Sequence, residues 1–403
     1  MKDERSIIDR LKEAGPAAVV TSAFIGPGTI TTATSAGVDF GYALLWAVVF
    51  SGLSLVIIMN MASRIAVIGN KNIIEASTDL LPNSKLWKNF VLGLLALVIG
   101  LTALGFSAGN LIGATTGFAE IIPVSTSISA LLMGIIVSVA LIFSTPQIVE
   151  TIMQVFVAIM GIIFVVTAII VGPDFLALLK GFIPSIPAGG TVNTIALIGT
   201  TFIGINLVYH SVASADKWTD EENLKDSYFD TVMNVALGVL MTLALIITTA
   251  TVLYGTGAVV DSPIVYVDAL EPVLGSWART FGALGLFFAG LSSSIATAYM
   301  AGLIFGKMFG WKEDDARSKA ISVGAIVIGT LFAMFGARPT QIILFAQATS
   351  GFFLPFISIL FVIAANSKSL GKYKNTTFQN ILGGISVTVT FILGMWTLYN
   401  VLF

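Results

Sequence analysis

The sequence predicts an all-α membrane protein of eleven transmembrane helices, and three observations carry that prediction. Of the 403 residues, 56% are apolar and only 10% charged, whereas soluble domains carry roughly 25% charged residues. Eleven apolar segments, each near or above the roughly 20 residues needed to cross a bilayer, lie at about 15–37, 41–66, 90–118, 127–145, 149–171, 193–214, 231–255, 278–306, 319–336, 340–364 and 379–402. With the N-terminus inside, all of the 20 Lys and Arg except Lys180, Arg279 and Arg338 fall on the inner side, the asymmetry that orients membrane proteins. The N-terminus is thus expected in the cytoplasm and the C-terminus outside it.

Taken in order, the first span follows a mixed-charge stretch, MKDERSIIDRLKE, which reads as an amphipathic cytoplasmic helix. It lacks the short apolar core and small-residue cleavage site of a signal peptide. Spans 2 to 4 are uninterrupted apolar runs. Glu150 stands at the inner start of span 5 and is expected at the interface. His210, the single histidine, lies near the inner end of span 6 and reads more readily as a packed, hydrogen-bonded group than as a ligand. Six acids, Asp39, Glu120, Asp174, Asp261, Asp268 and Glu271, face three bases on the outer side. They read as a solvated surface, with a mild attraction for cations as the alternative. Short loops and the absence of a soluble domain make residues 1–403 one transmembrane unit, whose work is done inside or across the membrane.

Several function classes drop out. The 20 basic and 22 acidic residues nearly cancel, so nucleic-acid binding has no basic surface to rest on. With no cysteine, disulfides, thiolate metal sites and cysteine catalysis are excluded together. No nucleophile, base and orienting group converge near mid-membrane, so an enzyme is not expected.

Two spans are interrupted where the backbone should be deepest in the bilayer. Span 1 contains Gly26-Pro27-Gly28-Thr29, and span 6 contains Gly199-Thr200-Thr201-Phe202-Ile203-Gly204-Ile205-Asn206. Backbone groups freed at such breaks must face protein or a water-filled cavity. The breaks are five spans apart, and five is odd, so two halves of five spans would have inverted topology. Residues 15–171 would form the first repeat, 193–364 the second, and 379–402 an additional helix. Paired breaks of this kind point to the binding site of a secondary transporter.

The residues at these positions resemble the NRAMP family of divalent-metal transporters. The stretch GPGTITTATSAGVDFGYALLW is similar to the family's first span and outer turn, SRIAVIGNKNIIE to the end of its second span, TFIGINLVYHS to its sixth and AQATSGFFLPF to its tenth. The resemblance implies a LeuT-type 5+5 inverted repeat with helices 1 and 6 broken, and a cation as cargo rather than as a cofactor. The family's metal-binding Asp falls on Gly26 and its Asn on Thr29. Its Met-Pro-His becomes Ile203-Gly204-Ile205, its carbonyl ligand falls on Thr200, and its later histidine is kept as His210. The third-span acids associated with proton movement fall on Ser107 and Asn110, while the glutamine of the tenth span is retained as Gln347. This pattern is similar to the NRAMP-related magnesium transporters.

Neutral candidates then remain as site-lining groups: Thr29, Thr200, Asn206 and Gln347, with carbonyls near Gly26 and Ile203. Oxygen ligands favour Mg²⁺ and Ca²⁺ over softer ions, and Mg²⁺ keeps several of its waters. The resulting expectation is a plasma-membrane, monomeric uniporter of largely hydrated Mg²⁺, with Mn²⁺ as a second candidate cargo. The alternatives are a proton-coupled Mn²⁺/Fe²⁺ importer, a small organic or amino-acid carrier, and a membrane sensor.

Overall fold

The structure, a computed structural model, describes residues 15–80, 84–275, 277–312, 315–335 and 339–402, with backbone alone at 269, 272–274, 339–351, 393 and 397–402. The expected N-terminal amphipathic helix, Arg338 and the side chain of Gln347 lie outside what is described. Every described element is helical. Among the described residues, nine segments are long and apolar enough to cross a bilayer. The remaining two expected spans are the first, which is divided, and the tenth, which runs from Pro339 to Ala364.

Span 1 is α1 (Pro16–Phe24) and α2 (Pro27–Phe40). Pro27 has no amide hydrogen to continue the ladder and pushes Gly26 into extended backbone, φ −105° and ψ 179°. Span 2 is α3 (Leu45–Val67), followed by the short α4 (Ile73–Leu80). Spans 3, 4 and 5 are α5 (Lys85–Ile121), α6 (Thr126–Phe143) and α7 (Pro146–Ile170). A six-residue α8 (Phe175–Lys180) lies in the connection to the second half, capped by Asp174.

Span 6 is also divided, into α9 (Thr191–Thr201) and α10 (Gly204–Lys217). No proline breaks it. Phe202 and Ile203 take non-helical backbone, and the Thr200 hydroxyl turns back to the carbonyl of Leu197 at 3.0 Å. The second half continues as α11 (Leu224–Leu253), α12 (Val265–Leu274), α13 (Trp277–Met308), α14 (Ala316–Met334) and α15 (Pro339–Ala364). It is followed by α16 (Thr377–Leu402).

The packing pairs counterpart spans. The helix of span 3 lies along that of span 8, span 4 against span 9, and span 2 against span 7. The divided spans pack crosswise, α9 on α2 and α10 on α1, as antiparallel counterparts would. Glycines allow the closest crossing: a Cβ on Gly290 of α13 would stand 2.3 Å from the backbone nitrogen of Ala114 on α5. Small residues of this kind let membrane helices approach backbone to backbone. Helix α13 runs deep in the bundle, with every residue from Ala289 to Ala298 buried. In α6, Ile128, Leu131, Ile135 and Val139 face outward, as a lipid-facing helix requires.

At the end rich in Lys and Arg, buried Arg64 donates to the Tyr373 carbonyl (3.1 Å), Gln379 Oε1 (3.0 Å) and Asn375 Oδ1 (2.7 Å). It thereby ties the segment before α16 to α3. Nearby, Asp79 accepts a hydrogen bond from Lys71 and raises its pKa above the ordinary value.

Candidate metal site at the helix breaks

The first break is small and crowded. Ile25 donates its N–H to the Thr21 carbonyl at 3.0 Å, closing α1. The Thr29 hydroxyl donates to the carbonyl of Phe24. Ser293 of α13 lies across from it and donates to the carbonyls of Ser22 and Ala23 at 2.7 and 3.1 Å. Carbonyls freed at the end of α1 are therefore satisfied by two hydroxyls, as backbone inside a membrane demands.

Gly26 faces α5 and α13. A Cβ placed on it would sit 2.8 Å from Ser293 Oγ and 2.9 Å from Asn110 Oδ1. Asn110 is buried, and its Nδ2 has no partner among the described residues. The same holds for the hydroxyl of Ser107, one helical turn earlier on α5. Of the two positions where the resemblance expects proton-pathway acids, Asn110 therefore borders the first break.

The second break lies at Phe202 and Ile203, just past Thr200, which remains inside α9. Ile203 caps α10 with extended backbone, and its carbonyl accepts the N–H of Asn206 at 3.1 Å. Asn206 is fully buried, and neither its Oδ1 nor its Nδ2 has a partner among the described residues. A buried, unpaired amide ordinarily costs about 1–3 kcal/mol, so its retention calls for an occupant or a second conformation. Thr29, Thr200, Ile203 and Asn206 are all at most 2% exposed. Gly204 packs closely on α15, where a Cβ would lie 2.5 Å from Ile357 Cδ1. Gln347 lies on the α15 backbone, with its side chain outside the described residues.

His210 is a packed residue with hydroxyl neighbours. Its Nε2 lies 3.1 Å from Ser63 Oγ, 3.3 Å from Thr231 Oγ1 and 3.5 Å from Ser214 Oγ. Its Nδ1 is buried and unpartnered among the described residues. No three His, Asp or Glu side chains gather into a metal-binding group among the described residues.

Two acids are buried within the protein. Glu150, near the start of α7, accepts from Lys217 at 2.7 Å. Asp230, one residue before the expected start of span 7, is buried because α11 begins at Leu224. Two groups were not singled out at all: Asp230, hidden by the span boundary, and Ser293, whose signal is the Ser292-Ser293-Ser294 run inside an apolar span.

Each end also has an opening. A cavity of about 150 Å³ at the Lys-rich end is lined by Glu150, Tyr209, Asp216, Lys217 and Tyr299. A larger one, about 440 Å³, at the opposite end is bordered by Glu120, Asp268, Glu271 and Arg279. Arg279 neutralises Glu120 at 2.7 Å. Burial, with Glu271 and Glu120 nearby, holds the Asp268 carboxyl above its ordinary value.

Comparison with known proteins agrees with this architecture. The sequence model of the family described as "Natural resistance-associated macrophage protein-like" matches residues 17–400. A divalent metal cation transporter MntH from Caldanaerobacter subterraneus subsp. tengcongensis is 27% identical over 96% of this chain and 93% of its own length. An MntH from Klebsiella pneumoniae is 26% identical over 96% and 94%. Among solved structures, the Eremococcus coleocola manganese transporter superposes with a TM-score of 0.82 at 19% identity, covering 98% of this chain and 88% of its own. MhsT in complex with L-phenylalanine follows at 0.66 and 13%, over 95% and 98%, a likeness of fold. Two broken spans five apart, counterpart spans packed in pairs and a family match along almost the whole length give one conclusion: this chain belongs to the Nramp family.

Proposed function

We propose that this chain is an alternating-access secondary transporter that carries divalent metal cations through the buried region between its two helix breaks. Nramp proteins are transporters and not enzymes, and the metal is cargo rather than cofactor. The proposed cargo contacts are Thr29, Thr200, Asn206 and Gln347, with backbone near Gly26 and Ile203. Residues 15–171 and 193–364 are the proposed halves, in a monomer with its N-terminus in the cytoplasm of a cell bounded by the plasma membrane.

Two cargo readings rest on different observations. The Eremococcus coleocola structure, described as a manganese transporter, supports manganese, and the relatives described as divalent metal cation transporters fit the transition-metal reading better than magnesium uniport. The chain's own site chemistry supports hydrated Mg²⁺. The observation that carries it is the first break, where the Asn110 amide and the Ser293 hydroxyl stand against Gly26. No thioether is supplied at Ile203. Stripping a small divalent ion of water for neutral ligands alone is unfavourable, so an ion keeping its water shell suits these residues. Proton coupling is not required energetically. A divalent ion falling through 100 mV gains about 4.6 kcal/mol, from about 2.3 kcal/mol per charge, or roughly 10³-fold accumulation.

Flux into proteoliposomes at an imposed potential tests both. The hydrated-ion reading expects Mg²⁺ uptake that dissipates the potential without acidifying the lumen. Mn²⁺ uptake seen only with proton influx, and no Mg²⁺ uptake, establishes the manganese reading instead. Movement of an amino acid and of no cation removes the substrate class altogether.

A further inference from the structure

Residue 26 has no side chain, yet the place a side chain would take is already filled by two groups from elsewhere in the fold. Ser293 and Asn110 both lie within 3 Å of a Cβ built on Gly26. These two neighbours differ in what holds them. The Ser293 hydroxyl is committed to the carbonyls of Ser22 and Ala23, so it serves as a buttress for the end of α1. Asn110 is only 3% exposed, yet its Nδ2 has no partner among the described residues. Ser107 Oγ is in the same condition, and residues three apart share a helix face. An unpaired amide N–H and an unpaired hydroxyl thus share one face of α5, Asn110 reaching the break itself, and each unpaired group costs about 1–3 kcal/mol unless something meets it.

We propose that Asn110, supported by Ser107, contacts the cargo directly and supplies from α5 the polar group that this site does not take from residue 26. This rests on the transport reading above. A water bound to a divalent cation is a strong hydrogen-bond donor, and Asn110 Oδ1 is an acceptor pointing at the break. The contact is neutral, which suits a water shell rather than a bare ion. It also sits on the unbroken 37-residue α5 rather than on the divided span.

The test is uptake of Mg²⁺ and Mn²⁺ by full-length wild type, Asn110→Leu, Asn110→Asp and Ser107→Ala in proteoliposomes, with melting temperature as a folding control. Asn110→Leu keeps the branched heavy-atom skeleton, though it is bulkier, and removes the acceptor; it is expected to raise KM for the transported ion at least tenfold. Asn110→Asp is isosteric, so it keeps the test usable where the leucine variant does not fold, and is expected to shift the Mn²⁺ to Mg²⁺ uptake ratio at least tenfold towards Mn²⁺. Ser107→Ala is expected to raise KM about threefold. If wild type transports a divalent cation while folded Asn110 variants keep KM and the ratio within twofold, Asn110 is a packing residue and the inference is wrong. If wild type transports no divalent cation at all, the transport reading itself fails and takes this inference with it.

Discussion

The Asp230 carboxylate accepts the backbone N–H of Ala17 at 2.9 Å across 213 residues of sequence, capping the first turn of α1 from α11. Its other oxygen accepts from Asn234 at 2.8 Å. The cap is possible because residue 15 is glycine: a Cβ there would stand 2.2 Å from Asp230 Cγ. Half of the broken first span is thus held at its end by the second half of the molecule.

Asp230→Ala leaves a buried helix N–H unpaired and should cost about 1–3 kcal/mol, read as a lower melting temperature in detergent. Gly15→Ala should disturb the same contact, so the double variant is expected to lose clearly less than the two single losses combined. Full additivity would show that the two residues act separately.

At the Lys-rich end, α10 is joined to α7 by Lys217–Glu150 at 2.7 Å and to α13 by Asp216–Lys307 at 2.6 Å. Removing Lys217 strands a buried carboxylate. Lys217→Ala is expected to cost on the order of 2 kcal/mol, less than the roughly 3–5 kcal/mol of a fully buried pair, because the Lys217 side chain is 28% exposed. Glu150→Gln in the Lys217→Ala background should recover much of that loss in chemical denaturation or melting.

The α5–α13 crossing should not tolerate bulk. Gly290→Val places its Cβ against the backbone of Ala114, where neither chain can rotate away. We expect at least about 3 kcal/mol of destabilisation, at or above the usual cost of overpacking, or no folded protein by size-exclusion chromatography. Gly93→Ala on the same α5, with nothing within 4 Å of its Cβ, is the control and should fold and transport like wild type.

Asp315 starts α14, and its carboxyl is pulled down to about 2 by the Arg317 side chain and backbone N–H. Its folded pKa lies below the ordinary 3.8, so its contribution is complete above about pH 4 and lost as pH falls through about 2. The melting-temperature gap between wild type and Asp315→Asn should therefore stay constant from pH 8 to 5 and shrink only below about pH 4. A gap that already changes between pH 7 and 5 would mean that another group is responsible.

Much of this protein was legible in its sequence because the bilayer imposes one-dimensional rules. Length and apolarity alone located all eleven spans, and Gly26-Pro27 located the first break, since a proline cannot continue the backbone ladder and a glycine fits the extended turn before it. The second break was found within two or three residues. Thr200 stayed helical, its hydroxyl bonded back to Leu197, and the opening moved to Phe202 and Ile203. Absence of an acid at residue 26 and of sulfur at residue 203 was likewise plain from residue identities.

What the sequence could not decide is which distant groups meet. Ser293 and Asn110 reach the first break only because span 8 packs along span 3, and Asp230 caps α1 only because span 7 brings it there. Residue type fixes what a group can donate or accept. Whether a buried polar group such as the Asn110 or Asn206 amide is left free for a cargo, or is used up by a neighbour as the Ser293 hydroxyl is, depends on partners far away in sequence, and those only the packed helices supply.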